Sequence, residues 1–96
     1  MIIAEISVIP LGEGTSISRY VRLAIDAIRS SGLKTFSGPM CTSVEATTLE
    51  EILEAVKAAH EAVVGTGAKR VVTTLKIDDR RDKAATMERK MKAVEQ

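Results

Sequence analysis

Residues 2–9 alternate between two sides, with Ile2, Ala4, Ile6 and Val8 on one and Ile3, Glu5, Ser7 and Ile9 on the other. Alternation of this kind reads as a half-buried strand, ended by Pro10 and the loop LGEGT. The period then lengthens. Ile17, Val21, Ala24 and Ile28 recur at helical spacing, with Tyr20 and Ile25 widening the stripe. Ser16 as N-cap and Gly32 as the residue after the C-cap bound this helix to about 16–31. LKTFS and CTSVEA read as two short strands joined at Gly38-Pro39. Thr48 and Glu51 have the spacing of a capping box. They open a second helix, whose stripe runs through Ile52, Leu53, Val56, His60, Val63 and Val64 to Gly65 and Gly67. Residues 69–77 form a fourth strand. Ala84, Met87, Met91 and Val94 mark a short C-terminal helix, with Glu88 and Lys92 as an i,i+4 pair on its wet side.

The order is therefore β-α-β-β-α-β followed by one more helix, and no linker or repeat interrupts it. Right-handed crossovers and a central hairpin turn that order into an α+β, ferredoxin-like sandwich, expected as a single domain over residues 1–96. Its antiparallel sheet has order 4-1-3-2, with both main helices on one face and nothing from the chain on the other. Strand parity gives the uncovered face Glu5, Ser7, Phe36, Cys41, Ser43, Glu45, Val72, Thr74, Lys76 and Asp78. A one-residue slip would exchange faces and put Thr42 in place of Ser43. The surface is too polar for a core and too apolar for bulk water, so another subunit's sheet or a small ligand is expected there. A simply solvated face is the alternative.

Composition sharpens this picture. Tyr20 and Phe36 are the only aromatic residues, so the core is aliphatic. A chain of this length buries only roughly 60–65% of its unfolded surface, and oligomerisation is one remedy for the thin margin. Fourteen basic and thirteen acidic side chains nearly cancel, leaving no global field for nucleic acid or an anionic membrane. Strands one and three carry no aromatic side chain for base stacking, which removes single-stranded RNA binding. No apolar run approaches the ~20 residues of a bilayer span, and the N-terminus has no basic region of a signal peptide. The expectation is a soluble, cytoplasmic protein.

Candidate chemistry is sparse. Cys41 is the single cysteine and His60 the single histidine, so neither a disulfide within the chain nor a multi-cysteine metal cluster can form. Cys41 on a strand reads as a small hydrophobe, and His60 on an apolar stripe as a hydrogen-bonded core or interface residue. The loop GEGTSISR is not a Walker phosphate loop; its glycines read as a flexible connector, with anion binding by free amides the lesser alternative. Glu5 and Glu45 could act as paired acids, but Lys76 shares their face. No constellation calls for catalysis, a metal or a cofactor.

Four stretches taken together, ISVIPLGEGTSISRYV, GPMCTSVEA, KAAHEAVVGTGAKRVVTTLKIDDRRDK and TMERK, resemble the YkoF-like thiamine-binding protein family along nearly the whole chain. The resemblance implies a non-enzymatic binder that forms dimers and commonly tetramers, with thiamine or its hydroxymethylpyrimidine part as ligand. On this chain it implies Glu45 or Glu5 as the carboxylate for the exocyclic amine or the cation. Ser7, Ser43 or Thr42 would complete the hydrogen bonds, Phe36 and Met40 would supply apolar contact, and Lys76 shares the face. Cys41 and Ala46 stand where the family usually has glycine, and could narrow a pocket. An oligomeric structural or regulatory protein without a ligand is the second reading.

KIDDRRDK, residues 76–83, carries seven charges in eight residues. Lys76 and Asp78 end the edge strand, where charge discourages uncontrolled pairing. Asp79, Arg80 and Arg81 form the exit turn, and Asp82 or Thr86 starts the last helix. The arginine forks suit carboxylates across a subunit contact. Asp78, Arg80 and Arg81, with Met87 and Met91 from the helix, are the candidate interface residues.

Overall fold

The N-terminal alternation becomes β1 (Ile2–Pro10), one of the two inner strands of the sheet. The computed structural model describes residues 1–95. After β1 come α1 (Ser18–Ser30), β2 (Lys34–Ser37), β3 (Thr42–Ala46), α2 (Leu49–Val64), β4 (Val71–Asp78) and α3 (Met87–Val94). All pairs are antiparallel and the strand order is β2-β3-β1-β4. That is the expected 4-1-3-2 order read from the other edge, and the extra C-terminal helix is present. Side-chain parity is as the alternation requires: Ile2, Ala4, Ile6 and Val8 are all buried.

Those four residues form the floor of the core. Val44 and Ala46 of β3 extend it, and Ala24 and Ile28 of α1 with Ile52, Ala59 and Val63 of α2 close it from above. The interior contains no fully buried ring. Its largest fully buried side chains are Ile6, Ile28, Ile52, Val44 and Val63. Tyr20 packs against this cluster at its margin. His60 is half-buried and its Nδ1 lies 2.6 Å from Thr73 Oγ1 on β4, so the histidine ties α2 to the edge strand.

The helix ends follow local chemistry, with one departure from expectation. At Thr48 the capping box is complete: Thr48 Oγ1 accepts from the Glu51 amide at 3.3 Å, and Glu51 Oε1 accepts from the Thr48 amide at 3.1 Å. At α1 the N-cap is Ile17 rather than Ser16, with no side-chain cap. The Ile17 carbonyl instead accepts from the amides of Tyr20 and Val21 at 3.0 and 3.1 Å, which closes the first turn with backbone alone. Gly32, at φ +82, takes the left-handed conformation that lets the chain leave α1 and reverse into β2. Gly38 closes the β2–β3 hairpin, its amide donating to the Cys41 carbonyl at 2.9 Å.

The second face of the sheet is not bare. The segment after β4 turns back and lays α3 against one end of it, where Glu45 and Ile3 are only 6% and 8% exposed. The expectation of a face with no cover from the chain is thus corrected over that end. Periodicity finds α3 as a helix but does not say where it docks, because its partners lie far away in sequence.

Ile52, in the first turn of α2, has no exposed surface and belongs to the core cluster. Ile52→Ala is expected to lower unfolding stability by about 2–5 kcal/mol, measured by urea denaturation with an unchanged m-value.

Candidate functional site

Strand register arranges the second face in rows across all four strands. Phe36 pairs with Ser43, Ser43 with Glu5, and Glu5 with Lys76. With strands about 4.8 Å apart, the row spans roughly 14 Å. Beside it runs a second row of Lys34, Glu45, Ile3 and Asp78, and on the other side Ser7 pairs with Thr74. Alternation carries every member of these rows away from α1 and α2.

The first row forms the floor of an open groove of ≈ 850 Å³, within the range of small-molecule sites. One wall is α3, through Met87, Met91 and Val94 at helical spacing; Lys34 and Thr35 belong to the β2 side. Phe36 is 56% exposed and Met91 49%, so an aromatic ring and a thioether face open space. Among the described residues, neither Glu5 nor Lys76 takes part in an ion pair, although the two are cross-strand partners. The floor therefore offers a carboxylate, an ammonium, a hydroxyl and an aromatic face in one line.

Other charges nearby are already engaged. Glu45 Oε2 accepts from the Met87 amide at 2.8 Å, and its Oε1 lies 3.7 Å from Lys34 Nζ. Lys90 Nζ donates to Asp78 Oδ2 at 2.6 Å, and this contact is the main reason the Asp78 carboxyl is held below the usual carboxylate range. In the exit turn Arg80 forks onto Asp82 at 2.6 and 3.0 Å, and Arg81 contacts Asp79 at 2.9 and 3.2 Å. The hydrogen bond from Arg80 likewise lowers Asp82. Both arginines thus pair with aspartates of their own loop, and Thr86 is the residue that caps α3, accepting from the Arg89 amide at 3.1 Å.

Of the eight residues the sequence singles out for a ligand, Glu5, Phe36, Ser43 and Lys76 line this groove. Ser7 lies one row further along the same face. Glu45 is on that face but lies beneath the start of α3. The structure does not bring Thr42 or Met40 to the row. Thr42 pairs with Ile6 and is buried on the helix side, and Met40 projects from the hairpin tip at 86% exposure. Lys34, Asp78, Glu88 and Lys90 join the groove unanticipated as ligand-site residues, because only the docking of α3 makes a wall of that end.

The comparisons with known proteins agree with this architecture. The model of the family described as thiamine-binding protein matches residues 4–95. The chain belongs to that family. A UPF0045 protein of Methanothermobacter thermautotrophicus is 48% identical over 97 residues, covering 100% of this chain and 98% of its own length. The crystal structure of a hypothetical protein from Methanocaldococcus jannaschii superposes with a TM-score of 0.91 at 47% identity, covering 98% of this chain and 95% of that one. A Thermotoga maritima protein, named provisionally for thiamine biosynthesis or salvage, gives a TM-score of 0.80 at 32% identity with 97% of each chain covered. Membership in the thiamine-binding family supports a role in binding a small molecule. Among the described residues no helix is long and apolar enough to cross a membrane.

Cys41, half-buried in the hairpin just before β3, has its thiol pKa raised, first by burial and then by the charge and hydrogen-bonding capacity of Glu5. Alkylation by iodoacetamide is therefore expected to be slow at neutral pH. Glu5→Gln removes the charge that opposes the thiolate, so its alkylation rate at fixed pH should rise above that of the wild type. An unchanged rate would separate Glu5 from Cys41.

Proposed function

We propose that this protein binds thiamine or its hydroxymethylpyrimidine part on the second face of the sheet, without catalysis, at a site completed between subunits. The observation that carries the reading is the row Phe36, Ser43, Glu5 and Lys76 on the floor of the groove, with Glu5 and Lys76 facing each other outside any ion pair among the described residues. Thiamine combines a flat aminopyrimidine with a cationic thiazolium. Phe36 supplies a ring face for the first. Glu5 supplies a carboxylate for an amine donor or for the cation, in a charge-assisted contact stronger than a neutral one. Ser43, with Ser7 beyond it, accepts or donates as the pyrimidine nitrogens require.

Expected behaviour is specific. At about 100 times its dissociation constant, thiamine adds about 2.7 kcal/mol to stability, read as a rise in melting temperature; hydroxymethylpyrimidine is the second probe. Glu5→Gln should abolish most of that rise while leaving the ligand-free melting temperature near its original value, since Glu5 is exposed. No shift with either compound at saturating concentration would overturn the reading.

A second copy of the chain would cover what the groove leaves open: Met91, Val94 at 79% exposure, and the loop bearing Arg80 and Arg81. The assembly is a dimer, and a tetramer where two such dimers meet. Light scattering at micromolar concentration should give a mass of at least twice the 10.3 kDa of one chain. Arg80→Ala combined with Arg81→Ala should lower that mass on dilution, whereas an unchanged mass would remove the loop from the contact. The ligand-free alternative, an assembly protein alone, corresponds to a multimer with no thiamine shift.

A further inference from the structure

The eight-residue helix α3 has no buried side chain, yet it walls the groove. Isolated helices shorter than ~12–15 residues are marginal in water, so α3 depends on what fastens it to the sheet. Among the described residues, two tertiary polar contacts do so. One joins Lys90 to Asp78, whose side chains are 58% and 48% exposed; a pair so exposed contributes little. The other is the Glu45 carboxylate on the Met87 amide at 2.8 Å, made by a side chain that is 6% exposed.

Met87 is the first residue of α3, so its amide has no acceptor within the helix. A carboxylate at that position satisfies the orphan donor and meets the positive end of the helix dipole. Thr86 satisfies the Arg89 amide in the same turn. Both oxygens of Glu45 are engaged, one by Met87 and one by Lys34. Met87 and Met91, carried by the helix so fastened, face the groove that Glu5 and Phe36 floor.

We propose that Glu45 is a positioning residue: set in β3, it holds the N-terminus of α3 over the groove and so fixes the wall against which a ligand binds, while Glu5 is the carboxylate that meets the ligand. The coupling to ligand rests on the thiamine reading above, but the clamp does not. Glu45 acts through the backbone of Met87 and not on the ligand. A ligand seated between Phe36 and Met91 is enclosed only when α3 is docked, so affinity follows the state of the clamp.

The test uses Glu45→Met, which keeps side-chain length and removes the acceptor, and Glu45→Gln, which keeps an oxygen able to accept from Met87. Hydrogen–deuterium exchange of residues 87–94 is measured without ligand, and thiamine affinity by calorimetry. Glu45→Met should speed α3 exchange roughly 10- to 100-fold, the range that a hydrogen bond to a charged group supports. It should also weaken thiamine about tenfold or more. Glu45→Gln should hold both within about threefold of the wild type. If Glu45→Met does not fold, Met87→Pro removes the donor from the other side. Proline suits the first position of a helix, and Thr86 before it is already extended; α3 exchange should again rise. Unchanged α3 exchange in whichever of the two folds overturns the clamp. Glu45→Gln that loses thiamine as fully as Glu45→Met, with α3 still protected, makes Glu45 the ligand's carboxylate and overturns the positioning role. A wild-type protein that binds no thiamine overturns the functional reading alone, and the exchange result then decides the clamp.

Discussion

Strand β1 pairs with β3 over residues 2–6 on one side and with β4 over residues 3–10 on the other, and this double pairing assigns a face to nearly every strand side chain. A shift of one residue would carry Ile2, Ala4, Ile6 and Val8 out of the core and Glu5 and Ser7 into it. Burying a carboxylate without a partner costs several kcal/mol, so the register has no near competitor. The rows on the second face, including Phe36, Ser43, Glu5 and Lys76, are a by-product of that enforced register.

The chain has enough apolar side chain to cover one face of its sheet and not both. Two long helices take the first face, and an aliphatic core of β1, β3, α1 and α2 forms there. What remains for the second is an eight-residue helix with two methionines and a valine. Such a helix cannot drive its own docking by burial. It is held by a polar contact at each end of its first turn, Met87 to Glu45 and Lys90 to Asp78. The result is a half-covered face, with a groove where cover stops and with a carboxylate and an ammonium, Glu5 and Lys76, on its floor. A half-covered face of this kind suits ligand binding and self-association together, because both supply the missing cover.

The dense charge after β4 acquires a structural role in this setting. Arg80 with Asp82 and Arg81 with Asp79 pair two residues apart within the exit turn, while Asp78 reaches forward to Lys90. Exposed pairs of this sort contribute little stability each. Together they favour one path from the sheet edge back over the second face, and that path delivers Met87 to Glu45.

The elements, their order and the ferredoxin-like topology were legible in the residues, because periods of two and of 3.6 and the capping residues Thr48 and Gly32 are local signals. Face assignment followed from parity, and with it the placement of Glu5, Ser7, Phe36, Ser43 and Lys76 on the second face. The choice between Ser43 and Thr42 stayed open in the sequence, since one residue of slip leaves the local pattern almost as good; pairing with β1 and β2 closed it. Where α3 docks, and hence that Glu45 faces a helix end, was invisible to pattern, because Glu45 and Met87 are 42 residues apart and no spacing rule links them. Local periodicity by itself determined what this chain folds into. Tertiary structure decided which of its charges are engaged in holding the fold and which face the groove, because the partner of a charge is set by distance in space.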